Sequence, residues 1–217
     1  ELDEAIPQEK AKIDFYKSMV LIADGMITLG RRYSEKAAEM AEAETDPVRK
    51  KELKEIADVC SRIPEQPPKT FREAIQFVWF VQLGGIIAEN PLAWNPGRFD
   101  QYMMSYLEAD LAAGRETRES AFELLEAFFL SCNRDSDLYP GMQQGDNGQS
   151  IVLGGMTPDG RDGYNLLSEM CLEACGELRL IDPKINLRVS KNTPLSVYEL
   201  RTELTKVGLG FPQYSND

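Results

Sequence analysis

Ser150-Ile151-Val152-Leu153-Gly154-Gly155 is a short apolar run that closes on two glycines, and its surroundings decide the fold. It reads as a strand, and Pro158-Asp159-Gly160 directly after it is a turn signal. A helix follows over about 165–178, a second strand over Lys184–Val189, a helix over Pro194–Val207, and Gly210–Tyr214 opens a third strand. Alternation of strand and helix points to a parallel α/β sheet or barrel. The expectation is three strands near 150–154, 184–189 and 210–215, side by side and parallel, with all other regular structure helical.

Upstream the chain reads as helical. Phe15, Met19, Ile22, Met26, Leu29, Tyr33, Ala37 and Met40 recur in steps of four and three, one stripe of a long helix over about 8–44 that suits packing against a larger body. Asp46-Pro47 restarts the chain, because the residue before proline avoids helical angles while proline suits the first helical position, so Asp46 is a natural N-cap. Leu53, Ile56, Cys60 and Ile63 mark the buried face of this second helix, which Pro64 and Pro67-Pro68 end. Thr70 and Glu73 form a capping box for a third helix, whose Phe77-Val78-Trp79-Phe80-Val81 is apolar on every side and calls for enclosure by protein. Helices near Arg98–Ala113 and Thr117–Cys132 follow, split by Gly114.

The 217 residues, 42% hydrophobic and 28% charged, fit one ordinary domain or a slice of a larger one. No run approaches the roughly 20 apolar residues that cross a bilayer, and no export signal opens the chain. A net charge of −12 without a segregated basic patch argues against nucleic acid or an anionic membrane as partner. The absence of histidine removes the usual general base, the commonest zinc ligand and every Ser-His or Cys-His dyad. Cys60, Cys132, Cys171 and Cys175 read as reduced thiols of a cytoplasmic protein. Cys171 and Cys175 share a helix face but lack a partner pair, which favours core thiols over a metal site.

The chain opens without methionine and stops as a strand begins, which suggests a fragment of a longer α/β protein. Gly141, Gly145 and Gly148 match neither the dinucleotide fingerprint nor the P-loop, and Asp135, Asp137, Asp146 and Asn147 fail the EF-hand template at Pro140. Two segments stand out as substrate-orienting or simple turn chemistry: 89–96, which carries Trp94 and Asn95, and 143–150, which carries Asn147, Gln149 and Ser150.

Several blocks resemble, in order, the pyruvate formate-lyase-like region of glycyl-radical enzymes. They are Pro67-Pro68-Lys69-Thr70-Phe71-Arg72-Glu73-Ala74 with Gln76 to Phe80, Pro96-Gly97-Arg98-Phe99-Asp100-Gln101-Tyr102, Val152 to Gly155, Asp182 to Val189 with Lys191-Asn192-Thr193-Pro194, and Gly208 to Asp217. The resemblance implies an α/β chain, the helix-rich first part of a ten-stranded barrel, with 1–66 a peripheral helical segment and 67–217 part of the barrel. It also implies a glycyl radical that oxidises a loop cysteine, installed by a radical SAM iron-sulfur activating enzyme. The cysteine loop and the glycyl loop are not in this sequence, none of the four cysteines sits in a matching motif, and the chain by itself is expected to be inactive and to hold no metal.

By wording, Gly208–Asp217 is nearer the lyase, dehydratase and decarboxylase branches than pyruvate formate-lyase itself, and Leu180–Arg188 is most like arylacetate-type decarboxylases. The expected activity is radical C–C or C–heteroatom cleavage of a small organic substrate, with the decarboxylase ranked ahead of a diol or aminoalcohol dehydratase and formate C-acetyltransferase behind both. The resemblance assigns Trp94, Asn95, Asn147, Gln149 and Ser150 to the substrate wall and makes Arg98, Asp100 and Gln101 a structural cluster at a helix start. The implied partners are the substrate, the activating enzyme and a second copy of the enzyme. A helical module that binds a partner through the Phe15–Met40 stripe is the rival from another class.

Overall fold

The computed structural model describes residues 3, 6–89, 93–133 and 148–217, which divide into two compact units. The first comprises the residues up to Pro68 together with Trp79–Gly84. Its frame is α1 (Pro7–Ala43) and α2 (Pro47–Arg62), both close to the expected spans. Asp46 caps α2 as expected, its carboxylate accepting from Val48 N–H (2.8 Å) and Arg49 N–H (3.0 Å). The helices close on each other at Gly30, where an added Cβ would stand 2.5 Å from the Ile63 carbonyl oxygen. Ser34 donates to the Ala57 carbonyl across the same seam (2.8 Å), and the Tyr33 ring meets Phe80 edge-on at 5.6 Å.

The α1 stripe is buried less than its spacing suggests. Ala37 is buried and Met26 and Leu29 are half-buried, but Phe15, Met19, Ile22, Tyr33 and Met40 are exposed. The reason is length, since α2 has 16 residues against the 37 of α1. Leu53, Cys60 and Ile63 are buried as the second helix's periodicity requires, with Ile56 half-buried beside them.

The second unit holds Lys69–Val78 and Gly85–Asp217. It begins with the start of α3 (Phe71–Glu89), where Thr70 Oγ1 accepts from Glu73 N–H (3.2 Å) while the Glu73 carboxylate accepts from Lys69 N–H (2.7 Å), the residue before the Thr70 N–H that the standard box uses. The enclosure expected of α3 is partial: Phe80 is fully buried, while Val81 and Ile87 are exposed. The remaining elements are β1 (Gly97–Arg98), α4 (Phe99–Ala113), α5 (Arg118–Cys132), β2 (Ser150–Gly154), α6 (Leu166–Leu178), β3 (Lys184–Val189), α7 (Leu195–Lys206) and β4 (Gln213–Asn216).

Within the sheet every pairing is parallel and the strands lie in chain order, β1-β2-β3-β4, while Met156 and Asp162 form an isolated antiparallel bridge beyond β2. Three strands were expected; β1 is a fourth, two residues long at a glycine of φ +74°, with no apolar run to betray it. Alternation gives the sheet two unlike faces. Ile151, Leu153, Ile185, Leu187 and Val189 are buried in a core with Phe99, Leu107, Leu125, Phe128, Leu167 and Met170, and Phe99 stacks on Phe128 at 5.5 Å. The opposite, open face carries Ser150 and Val152 of β2 and Lys184, Asn186 and Arg188 of β3, all partly exposed. Register adds Gln213 beside Asn186 and Ser215 beside Arg188.

Gly114 ends α4 in the left-handed region (φ 67°), and the buried Asp110 carboxylate ties that end to α3 by accepting from Phe71 N–H (2.7 Å) and Arg115 Nε (2.7 Å). Among the described residues no helix is long and apolar enough to cross a membrane.

Candidate functional site

At the N-terminal end of β2 the structure brings together two of the segments singled out in the sequence. Ala93 adopts φ 60° and Gly148 φ 68°, and a Cβ on Gly148 would lie 3.4 Å from that of Ala93. The crossing sets Asn95 against Ser150, with Asn95 Oδ1 accepting from both Ser150 N–H (2.9 Å) and Ser150 Oγ (2.9 Å). Because the backbone N–H can only donate, the Asn95 oxygen is fixed towards Ser150 and its NH₂ turned away as a donor. The pair therefore presents amide donors and a hydroxyl oxygen at the rim of the open face, and neither group titrates.

The other wall candidates are placed differently. Trp94 is half-buried and lays its indole over Gly85 of α3, where a Cβ would stand 2.9 Å from Cζ3. Gln149 is only 4% exposed and its Nε2 donates to the Cys132 carbonyl at the end of α5 (2.9 Å). It shares the parity of Ile151 and Leu153, so alternation turns it to the helix side of the sheet. Asn147 lies outside the described residues, as do Asp135, Asp137, Pro140, Gly141, Gly145 and Asp146.

The C-terminal ends of the strands hold a second polar assembly. Asp100, fully buried at the start of α4, accepts through Oδ2 from Gly154 N–H (2.7 Å) and Ser168 Oγ (2.5 Å). Burial raises its carboxyl above the ordinary aspartate value, against the opposing pull of these hydrogen bonds and of the Arg98 charge. Arg98 Nη2 donates to the carbonyls of Gly154 (2.8 Å) and Met156 (3.2 Å), and Gln101 Nε2 donates to that of Gly163 (2.7 Å). All three side chains thus hold backbone around the Gly154-Gly155 turn.

Arg188 and Asp217 complete the assembly. They form an ion pair through Arg188 Nη2, the second Asp217 oxygen accepts from Met156 N–H, and Asp217 N–H donates to the Val189 carbonyl (2.9 Å). Gly155, at φ +84°, is what admits this pair: a Cβ there would lie 2.7 Å from Asp217 Oδ2 and 3.0 Å from Arg188 Cβ. Sequence reasoning missed Asn186 and Arg188 as members of the open face. Their signal was present in the alternation of Lys184, Asn186 and Arg188 with Ile185, Leu187 and Val189.

All four cysteines are buried and reduced. Burial pushes the Cys60 thiol up to about 11, that of Cys175 to about 12, and Cys171 well above its ordinary value, so these thiols are poor nucleophiles. Among the described residues no group of three or more His, Cys, Asp or Glu side chains is arranged to hold a metal ion.

Comparison with known proteins bears on this geometry. The sequence profile of the family described as pyruvate formate lyase-like matches residues 1–217. The chain is 36% identical over 213 residues to trans-4-hydroxy-L-proline dehydratase of Clostridioides difficile, covering 92% of this chain and 26% of that protein. It is likewise 36% identical over 213 residues to isethionate sulfite-lyase of Nitratidesulfovibrio vulgaris, covering 95% and 26%. A solved structure from work on 1,2-propanediol dehydration in Roseburia inulinivorans superposes with a TM-score of 0.93 at 38% identity, covering 96% of this chain and 27% of that one. The chain therefore spans about a quarter of the length of each protein it matches.

Proposed function

Because this chain belongs to the pyruvate formate lyase-like family of glycyl-radical enzymes, we propose that it forms the first part of the α/β barrel of a glycyl-radical lyase. In this reading 1–66 is peripheral, 67–217 supplies barrel strands, and the reaction cleaves a carbon–heteroatom bond of a small polar substrate. The observation that carries the reading is the sheet itself. Its four parallel strands run in chain order without the reversal of a doubly wound sheet, one face packed by helices and the other polar. Winding of this kind, continued, closes a barrel whose polar face looks inward.

The sulfite-lyase and dehydratase names of the relatives support C–S or C–O cleavage ahead of the decarboxylation that the wording of Leu180–Arg188 favours. The radical that starts such chemistry would come from a glycyl residue outside this chain, installed by a radical SAM activating enzyme. What these residues contribute is binding and orientation. Asn95 and Ser150 would meet substrate hydroxyl groups, Trp94 would wall the cavity, and Gln149, turned towards α5, would hold the strand entrance in place. Asn147 belongs to the same proposed wall. A cytoplasmic homodimer is the assembly we infer from family membership.

The test is turnover by the activated full-length protein of trans-4-hydroxy-L-proline, isethionate, 1,2-propanediol and 4-hydroxyphenylacetate. Release of a dehydrated product or sulfite supports the reading, whereas exclusive decarboxylation of the aryl acid returns the assignment to the decarboxylase branch. Asn95→Ala carries a further expected result. It leaves the Ser150 N–H and hydroxyl without their acceptor and removes the amide donors, a loss of about 1–3 kcal/mol in kcat/KM at unchanged radical yield. Steady-state kinetics beside radical quantification check it, and unchanged kinetics would remove Asn95 from the wall.

A further inference from the structure

We propose that Arg188, seated by Asp217, selects a substrate carrying a carboxylate or sulfonate group. The inference rests on the reading that the open face of the sheet lines the substrate cavity, and it adds the class of substrate. Arg188 lies on that face, level with Gly154 of β2 and Ser215 of β4. Its stem crosses Gly155, where an added Cβ would approach Arg188 Cβ to 3.0 Å and Cδ to 3.2 Å, so the side chain has little room to swing.

The carboxylate that holds it is itself held. The Asp217 side chain is 6% exposed, bonded through its second oxygen to Met156 N–H, and the residue's own N–H donates to the Val189 carbonyl. The guanidinium is thus fixed from the ends of β2 and β3 together. Pairing also keeps the arginine compensated when the cavity is empty, which limits the cost of holding a charge on a part-buried face.

A guanidinium has five donors in a rigid fork, and Asp217 engages it through Nη2. Among the described residues no second acceptor meets Arg188, and its side chain is 36% exposed on the open side. The remaining edge suits two-point recognition of an oxyanion, a geometry that a lysine ammonium cannot reproduce. Arg98, the other arginine of this face, is committed to the carbonyls of Gly154 and Met156. A neutral diol would gain little from Arg188, whereas a hydroxylated amino acid or hydroxyalkyl sulfonate would be oriented by it.

The experiment measures calorimetric binding to the full-length protein before activation, with trans-4-hydroxy-L-proline and isethionate as anionic probes and 1,2-propanediol and glycerol as neutral ones. Wild-type protein is expected to bind at least one anionic probe, and Arg188→Gln to weaken that binding ten-fold or more. Arg188→Lys should restore it only in part, and Asp217→Asn should weaken it several-fold, with glycyl radical yield after activation unchanged in each. Binding of neutral probes alone, or anionic binding indifferent to Arg188→Gln, overturns the inference. Should Arg188→Gln fail to fold, wild-type affinity in Arg188→Lys overturns it equally. A protein that forms its radical and dehydrates a diol while ignoring the anions refutes the role of Arg188 alone, whereas one that forms no radical and turns over no probe refutes the enzyme reading on which that role depends.

Discussion

Gly155→Ala is expected to lower stability by about 2–4 kcal/mol, from two additive causes. A Cβ at φ +84° costs about 1–2 kcal/mol in backbone strain, and here it also meets the Asp217 carboxylate at 2.7 Å and the Arg188 stem at 3.0 Å. Gly160 supplies the control, since it has φ +80° but nothing within 4 Å of its added Cβ. Gly160→Ala should therefore cost the strain alone. Thermal unfolding of the full-length protein measures both, and equal shifts for the two variants would show that the Arg188–Asp217 brace is not packed as described.

Asp100→Ala is the second large effect, a loss of about 3–4 kcal/mol. It strips acceptors from the buried Gly154 N–H and from Ser168 Oγ, removes a counter-charge beside Arg98 and leaves a small cavity at the joint of β2, α4 and α6. Asp100→Asn keeps the shape, and its cost should depend on pH with a defined sign. Burial holds the folded-state pKa of Asp100 above the unfolded value, so between the two the folded protein binds more protons and wild-type stability falls as pH rises. The carboxamide of the variant does not titrate. The penalty of the asparagine variant relative to wild type should accordingly be largest at acid pH and shrink as pH rises through the folded-state pKa of Asp100. Denaturant unfolding at a series of pH values checks this, and a penalty that grows with pH would contradict the assigned environment.

The elements that sequence reading located best are those where periodicity and caps agree. β3 runs from Lys184 to Val189 as expected, and Asp46, Thr117 and Asn165 each cap a helix with their own side chains. β1 escaped because two residues at a left-handed glycine carry no period, and they are a strand only because Ile151 and Val152 lie beside them. The α1 stripe predicts packing against a larger body, and it says which side of the helix is apolar but not how much of that side α2 covers. At the site, proximity in the fold joined Asn95 to Ser150 although 55 residues separate them. Strand parity turned Gln149 away from the face that Ser150 shares, and the same parity, read along Lys184–Val189, would have exposed Asn186 and Arg188. In sequence the Gly154-Gly155 pair marks only a strand end, and the fold shows that Gly155 makes way for the side chain of Asp217, far along the chain.

The measurement closest to the central claim is electron paramagnetic resonance of the full-length protein, incubated anaerobically with a radical SAM activating enzyme of the glycyl-radical family and S-adenosylmethionine. A glycyl-radical lyase built on this sheet predicts a glycyl doublet that disappears on exposure to oxygen, together with cleavage of the polypeptide at the radical position. A fully reduced, active activating enzyme that yields no such signal on the folded protein would contradict the account.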